Sequence, residues 1–176
     1  MRLSVGLTPS VESLMRIGLA YPLPLPAGSR RVPPAHFHVT VLFLRDYPEA
    51  QLPTLISDLE EVFRELPAFW LIPRRIEWVR QTLWLKFEPQ SAMSALVQKL
   101  HAVARLRELS TFQPHVTLAR LSKNARAPEA IYPLPWTPEP LLFPEVALFH
   151  SVLRPEGPTY EKLARYSLNC QITPPL

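Results

Sequence analysis

Apolar and polar positions along the chain alternate in some segments and recur every three or four residues in others, an order that predicts strands and helices in one α+β unit. Arg2 to Leu7 reads as a short strand, and Thr8 is placed to cap a helix that begins at Pro9 and runs to about Ala20. Pro22, Pro24 and Pro26, then Gly28, Pro33 and Pro34, predict a surface loop. His36 to Leu44, HFHVTVLFL, is rich in β-branched and aromatic residues and predicts a strand at or near the centre of a sheet. Leu52, Leu55, Ile56, Leu59, Val62, Phe63 and Leu66 carry the apolar spacing of an amphipathic helix over Asp46 to Leu66.

Two strands are predicted next, at about Phe69 to Val79 and Thr82 to Phe87, with Pro73 marking an edge or a bend. A second long helix starts near Pro89 and Ser91, with Met93, Leu96, Val97, Leu100, Val103, Ala104 and Arg107 as its inward stripe and margin. Phe112 to Leu121 is again strand-like, a Pro-rich loop spans Pro128 to Pro140, and strands near Leu142 to Leu153 and Tyr160 to Leu168 follow. The two halves repeat one form, which predicts a bilobal domain over residues 1–176, with interleaved lobes, helices on the outer sheet faces and a central cleft.

Composition narrows the class. The chain has 176 residues, 47% of them apolar, enough for a sizeable core and against long disorder. Its 22 Pro against 4 Gly make proline the main punctuation. A net charge of +4 permits an anionic substrate but is too small and scattered to establish nucleic-acid binding by itself. Cys170 is the single cysteine, no apolar run reaches membrane-spanning length, and MRLSVGLTPS lacks the pattern of a signal peptide. A cytoplasmic, monomeric protein without a membrane partner is therefore expected.

The chemistry concentrates in two matching segments, His38-Val39-Thr40-Val41 and His115-Val116-Thr117-Leu118. On a strand, positions i and i+2 share a face, so each segment presents an imidazole beside a hydroxyl. Two such strands facing one cleft suit displacement at a phosphoester. One neutral imidazole removes a proton from water, and the other, protonated, supplies one to the departing alkoxide. Thr40 and Thr117 would hold nonbridging oxygens, and Arg120 is the candidate cation. Strict alternation sets Arg120 opposite His115 unless the strand bends or ends there.

Other residues have two readings. Arg30 and Arg31 in the first Pro-rich loop, and Lys123 and Arg126 beyond the second motif, would contact substrate phosphates if both loops border the cleft, or else are ordinary solvated charges. Phe43 would line the pocket or stack a base, although its apolar setting favours core packing, as it does for Trp78, Trp84 and Trp136. His36 and His38 could share a metal, but no compact ligand set completes the site, so no metal and no cofactor is expected. His101, His150 and Cys170 read as structural or exposed, and Tyr160 as packing for the turn at Gly157-Pro158.

With those residues in place, the sequence resembles the 2H phosphoesterase superfamily, and within it the bacterial and archaeal RNA 2',3'-cyclic phosphodiesterases historically called 2'-5' RNA ligases. MRLSVGL, PPAHFHVTVLFL, TFQPHVTLAR and SVLRPEGPTYEKLARYSL carry the resemblance, in that order. It implies two pseudo-symmetric antiparallel lobes and metal-independent opening of a terminal RNA 2',3'-cyclic phosphate to a 2'-phosphate. It also implies that His38 protonates the 3' oxygen, His115 activates water, and Thr40, Thr117 and Arg120 hold the phosphate. The reverse reaction would join RNA ends through a 2'-5' linkage. Arg45 stands where the family has Gly, the basic residue before the second motif is replaced near Ser110 and Thr111, and the segment from Arg74 to Lys86 is compact. A cyclic phosphodiesterase for small nucleotides and a non-catalytic RNA-binding module are the alternatives.

Overall fold

The computed structural model describes residues 1–106, 112–154 and 157–170. Arg107, Ser110 and Thr111, singled out above, lie outside the described residues. β1 (Leu3–Thr8) is buried along its whole length, as a strand covered on both faces must be. Thr8 ends this strand instead of capping a helix, and its hydroxyl donates to the Glu145 carboxylate at 3.0 Å. Ser10 is the cap of α1 (Val11–Gly18), its side-chain oxygen accepting from the Ser13 amide at 3.1 Å. The helix is therefore shorter than the pattern suggested at both ends.

β2 (Ser29–Arg31) lies inside the first Pro-rich stretch. A single 3₁₀ turn, Pro34–His36, precedes β3 (Val39–Leu44), so His36 sits off the strand to which the sequence assigned it. α2 (Leu52–Phe63) is also shorter than predicted, because Pro48 leads into a 3₁₀ turn over Glu49–Gln51 before the helix starts. The break at Pro73 separates β4 (Phe69–Leu71) from β5 (Pro73–Val79), and β6 (Thr82–Phe87) returns in a hairpin. α3 (Ser91–Val103) is followed by β7 (His115–Leu121), the two-residue β8 (Ile131–Tyr132), β9 (Leu141–Phe143), β10 (Glu145–Arg154) and β11 (Gly157–Ser167).

The strands form a nine-stranded antiparallel sheet in the order β11-β10-β1-β3-β7-β6-β5-β8, with β2 paired to β7, while β4 and β9 make a separate ribbon. α2 buries Leu55, Leu59, Val62 and Phe63 against β11 and α3, and α3 buries Met93, Leu96, Val97 and Leu100 and packs on β3. Each such Leu contributes about 1.5–3 kcal/mol by leaving water. The two lobes meet where β3 and β7 register through one pair, Val39 with Val116, both fully buried. Past that pair β2 takes the edge of β7, Arg31 opposite Ala119 and Ser29 opposite Leu121, so β3 and β7 diverge and the groove between the lobes opens.

Candidate active site

The antiparallel direction at Val39 and Val116 sets His38 on the Thr117 side and Thr40 on the His115 side. The two His-x-Thr segments thus interleave, and all four side chains line one cleft of about 450 Å³. Each strand then breaks its alternation at the same place. In β3 the register against β1 passes from Gly6–Thr40 to Val5–Leu42, leaving Val41 as an extra residue. In β7 the register against β6 passes from Trp84–Thr117 to Leu83–Ala119, leaving Leu118 extra. Each is a β-bulge that makes two successive apolar residues point inward and returns the next one to the cleft face.

That bulge resolves the conflict over Arg120, which lines the cleft with His115 and Thr117. Its pseudo-symmetric counterpart on β3 is Phe43, which is 37% exposed and lines the same cleft, a correction to the core-packing expectation.

Both imidazoles are held alike. His38 Nδ1 lies 2.7 Å from the His36 carbonyl, and His115 Nδ1 lies 2.8 Å from the Gln113 carbonyl. A carbonyl only accepts, so Nδ1 carries the proton in each neutral ring and Nε2 is the nitrogen left for chemistry. His38 sits between Phe149, at 4.7 Å between ring centroids, and the edge-on ring of Tyr160 at 5.5 Å. Burial drives its pKa down to about 4, with the positive charge of Arg120 and the neighbouring His115 and His36 adding to the depression against the hydrogen bond to His36. His115 stacks on Trp84 at 3.6 Å, and burial, then the charges of Lys86 and Arg120, hold its pKa below the ordinary imidazole value.

Several residues of the cleft were not read from the sequence as functional. Trp84 belongs to a clean alternation in β6, with Leu83, Leu85 and Phe87 buried and Thr82, Trp84 and Lys86 on the other face, a signal that was available. Tyr160 lines the cleft, and Arg120 Nη2 donates to its hydroxyl at 3.4 Å. Arg2, just before β1, also lines the cleft and places its guanidinium 5.0 Å from the centre of the Phe43 ring, while Arg45 covers that ring at 5.6 Å. Among the described residues no carboxylate lines the cleft, and Arg2 and Arg120 give it positive charge.

Arg30, Arg31, Lys123 and Arg126 are not among the residues that line it. Arg31 donates to the Leu23 carbonyl at 2.7 Å and lies over the Tyr21 ring, Lys123 accepts at its carbonyl from Gln81 Nε2 at 2.7 Å, and Arg126 faces Glu129 on the surface. Among the described residues, no group of three or more His, Cys, Asp or Glu is arranged to hold a metal ion.

What the cleft offers is a positive concavity with two free imidazole nitrogens and two hydroxyls, the complement of a phosphoester. The sequence pattern of the 2'-5' RNA ligase superfamily matches residues 16–152. An RNA 2',3'-cyclic phosphodiesterase of Thermus thermophilus is 32% identical over 158 residues, covering 80% of this chain and 76% of that protein. A crystal structure of a Thermus thermophilus protein matches 97% of the chain and 100% of its own length, with a TM-score of 0.74 at 25% identity. Escherichia coli LigT complexed with 3'-AMP shares the fold, with a TM-score of 0.76 at 20% identity over 95% of this chain and 97% of its own. With the family pattern running through both His-x-Thr strands, the chain belongs to the 2'-5' RNA ligase superfamily, a branch of the 2H phosphoesterases.

Proposed function

We propose that the protein opens the 2',3'-cyclic phosphate at the end of an RNA to a 2'-phosphate, both lobes acting as one catalytic unit. The observation that carries this reading is the pair of imidazoles fixed through Nδ1 by backbone carbonyls, each beside a threonine, in one cleft that no carboxylate lines among the described residues. His115 Nε2 takes a proton from water as the water oxygen bonds to phosphorus. The bond from phosphorus to the 3' oxygen breaks, and His38 gives that oxygen its proton. Thr40 and Thr117 donate to the nonbridging oxygens, and Arg120, oriented by Tyr160, offsets their charge. Proton exchange with solvent resets the pair. An RNA 5' hydroxyl in place of water gives a 2'-5' linkage by the same transfers.

The assignment asks the deeper ring to carry the proton. His38, once protonated against its burial, is the stronger acid of the two, which suits departure of an alkoxide, and an anionic phosphate in the cleft favours that state. The deciding experiment uses protein treated with a chelator and RNA ending in a 2',3'-cyclic phosphate. A product with its phosphate on the 2' oxygen supports the proposal. A 3'-phosphate product, loss of turnover to the chelator, or retention of RNA without opening would each reject it, the last in favour of a binding module.

A further inference from the structure

The cleft does not end at the histidines. It continues into a larger cavity of about 800 Å³, and Thr40, Phe43, Thr82, Trp84 and His115 line both, so the two form one groove. Past this shared boundary the described part of the wall includes Val97 and His101 of α3, Arg80 and Gln81 at the tip of the β5–β6 hairpin, and Leu106 and Phe112. The volume falls within the range of about 300–1,000 Å³ common to ligand sites.

Three features of this basin have no use in the chemistry above. Arg80 has φ 54, in the two-residue turn between the paired Val79 and Thr82. That left-handed conformation favours Gly, Asn or Asp, and a residue kept there against its preference points to function. The tip is anchored by the neighbouring residue, since the Gln81 carbonyl accepts from the Leu121 amide at 2.8 Å and its Nε2 donates to the Lys123 carbonyl. Among the described residues, Arg80 itself forms no ion pair and no carboxylate lines the basin. His101, expected to be structural or exposed, lines the basin, and its buried Nδ1 has no hydrogen-bond partner among the described residues. Phe43 and Trp84 supply aromatic surface at the boundary. A cation, an imidazole and two aromatic rings, one groove away from a phosphate site, match the parts of a nucleotide.

We infer that this basin is the subsite for the nucleotide that precedes the terminal one in the RNA, with Arg80 on its phosphodiester, the His101 ring beside its base, and Phe43 and Trp84 against the face of that base. The inference rests on the function proposed above and assigns its length preference. Preference for a strand over a single nucleotide comes from Arg80 and His101, and not from Arg30, Arg31, Lys123 or Arg126, which line neither cavity.

The test compares kcat/KM for a mononucleotide and a trinucleotide, each ending in a 2',3'-cyclic phosphate, in the wild type and in Arg80→Asn and His101→Phe. Asn keeps the turn, and Phe keeps the ring volume, so each variant removes polar chemistry with its site intact. The wild type is expected to favour the trinucleotide about tenfold or more, and each variant to lose about tenfold on the trinucleotide, mainly in KM, as loss of uniform binding requires. Turnover of the mononucleotide should stay within about twofold of wild type, because it does not reach the basin. Equal use of both substrates by the wild type would overturn the subsite while leaving the function standing. So would equal losses on both substrates in the variants, or collapse of the preference on Arg30→Ala with Arg31→Ala instead. If the wild type opens neither substrate, the function fails and the subsite with it.

Discussion

At the residue scale, the proposed reaction has the two histidines do different things with the same bonding. Replacing either by Ala is expected to lower turnover by about 10² to 10⁴, or roughly 3 to 5 kcal/mol of barrier, with the folded spectrum retained. A substrate with sulfur in place of the bridging 3' oxygen separates the roles, since a thiolate departs without a proton. It should restore much of the rate to His38→Ala and none to His115→Ala, and the opposite pattern would exchange the assignments. Gly6 gives a second handle, on placement alone. A Cβ there would come 2.7 Å from His38 Cδ2 and 3.2 Å from Phe149, so Gly6→Ala must push the imidazole from its seat on the His36 carbonyl. The expected result is a fall in kcat larger than any rise in KM, with the fold intact, and an unchanged kcat would show that His38 has room to spare.

At the scale of elements, the period of the apolar residues makes most strands and both long helices legible in the amino-acid sequence. Met93, Leu96, Val97 and Leu100 face inward on α3 as their spacing requires. The pairing of His with Thr at i and i+2 is legible for the same reason, since a strand has only two faces. The bulges are not, because a one-residue excess is a property of two strands in register and neither strand announces it alone. Their trace is the adjacent apolar pairs Val41-Leu42 and Leu118-Ala119, which read as ordinary strand. Without the bulges, alternation leaves Arg120 undecided and sends Phe43 to the core. In β6 the alternation that turns Trp84 toward the cleft is plain in the sequence, and it carries a further expectation. Trp84 shields His115 by stacking at 3.6 Å, and burial is the main cause of the depressed His115 pKa. Trp84→Leu admits water, so that pKa rises toward the ordinary value and the basic limb of the pH profile of kcat/KM moves to higher pH. A basic limb that stays put would mean that the stack does not shield the ring.

For the whole molecule, burying a pair of imidazoles at the seam between lobes links catalysis to stability through pH. In the free protein burial depresses both rings, His38 from 6.5 to about 4 and His115 below its ordinary value. The state with a single proton on the pair lies between those two pKa values. Consequently kcat/KM should rise as pH falls from about 8 through the His115 pKa and fall again near 4, and the limbs belong to the pair as a whole. Stability runs in one direction over the same window. The unfolded chain protonates His38 near 6.5, while the folded protein resists until about 4, so stability is complete above 6.5 and declines as pH drops between those values. At about 1.36 kcal/mol for each pH unit, this ring alone accounts for a loss on the order of 3 kcal/mol, and His115 adds to it in the same sense. Melting temperatures of the wild type and His38→Gln from about pH 7.5 to 4.5 isolate this contribution. The wild type should fall more steeply, and the two curves should converge toward the acid end. Parallel curves would show that His38 titrates alike in the folded and unfolded chains, which would remove the burial from which both its acid strength and its place at the seam are argued.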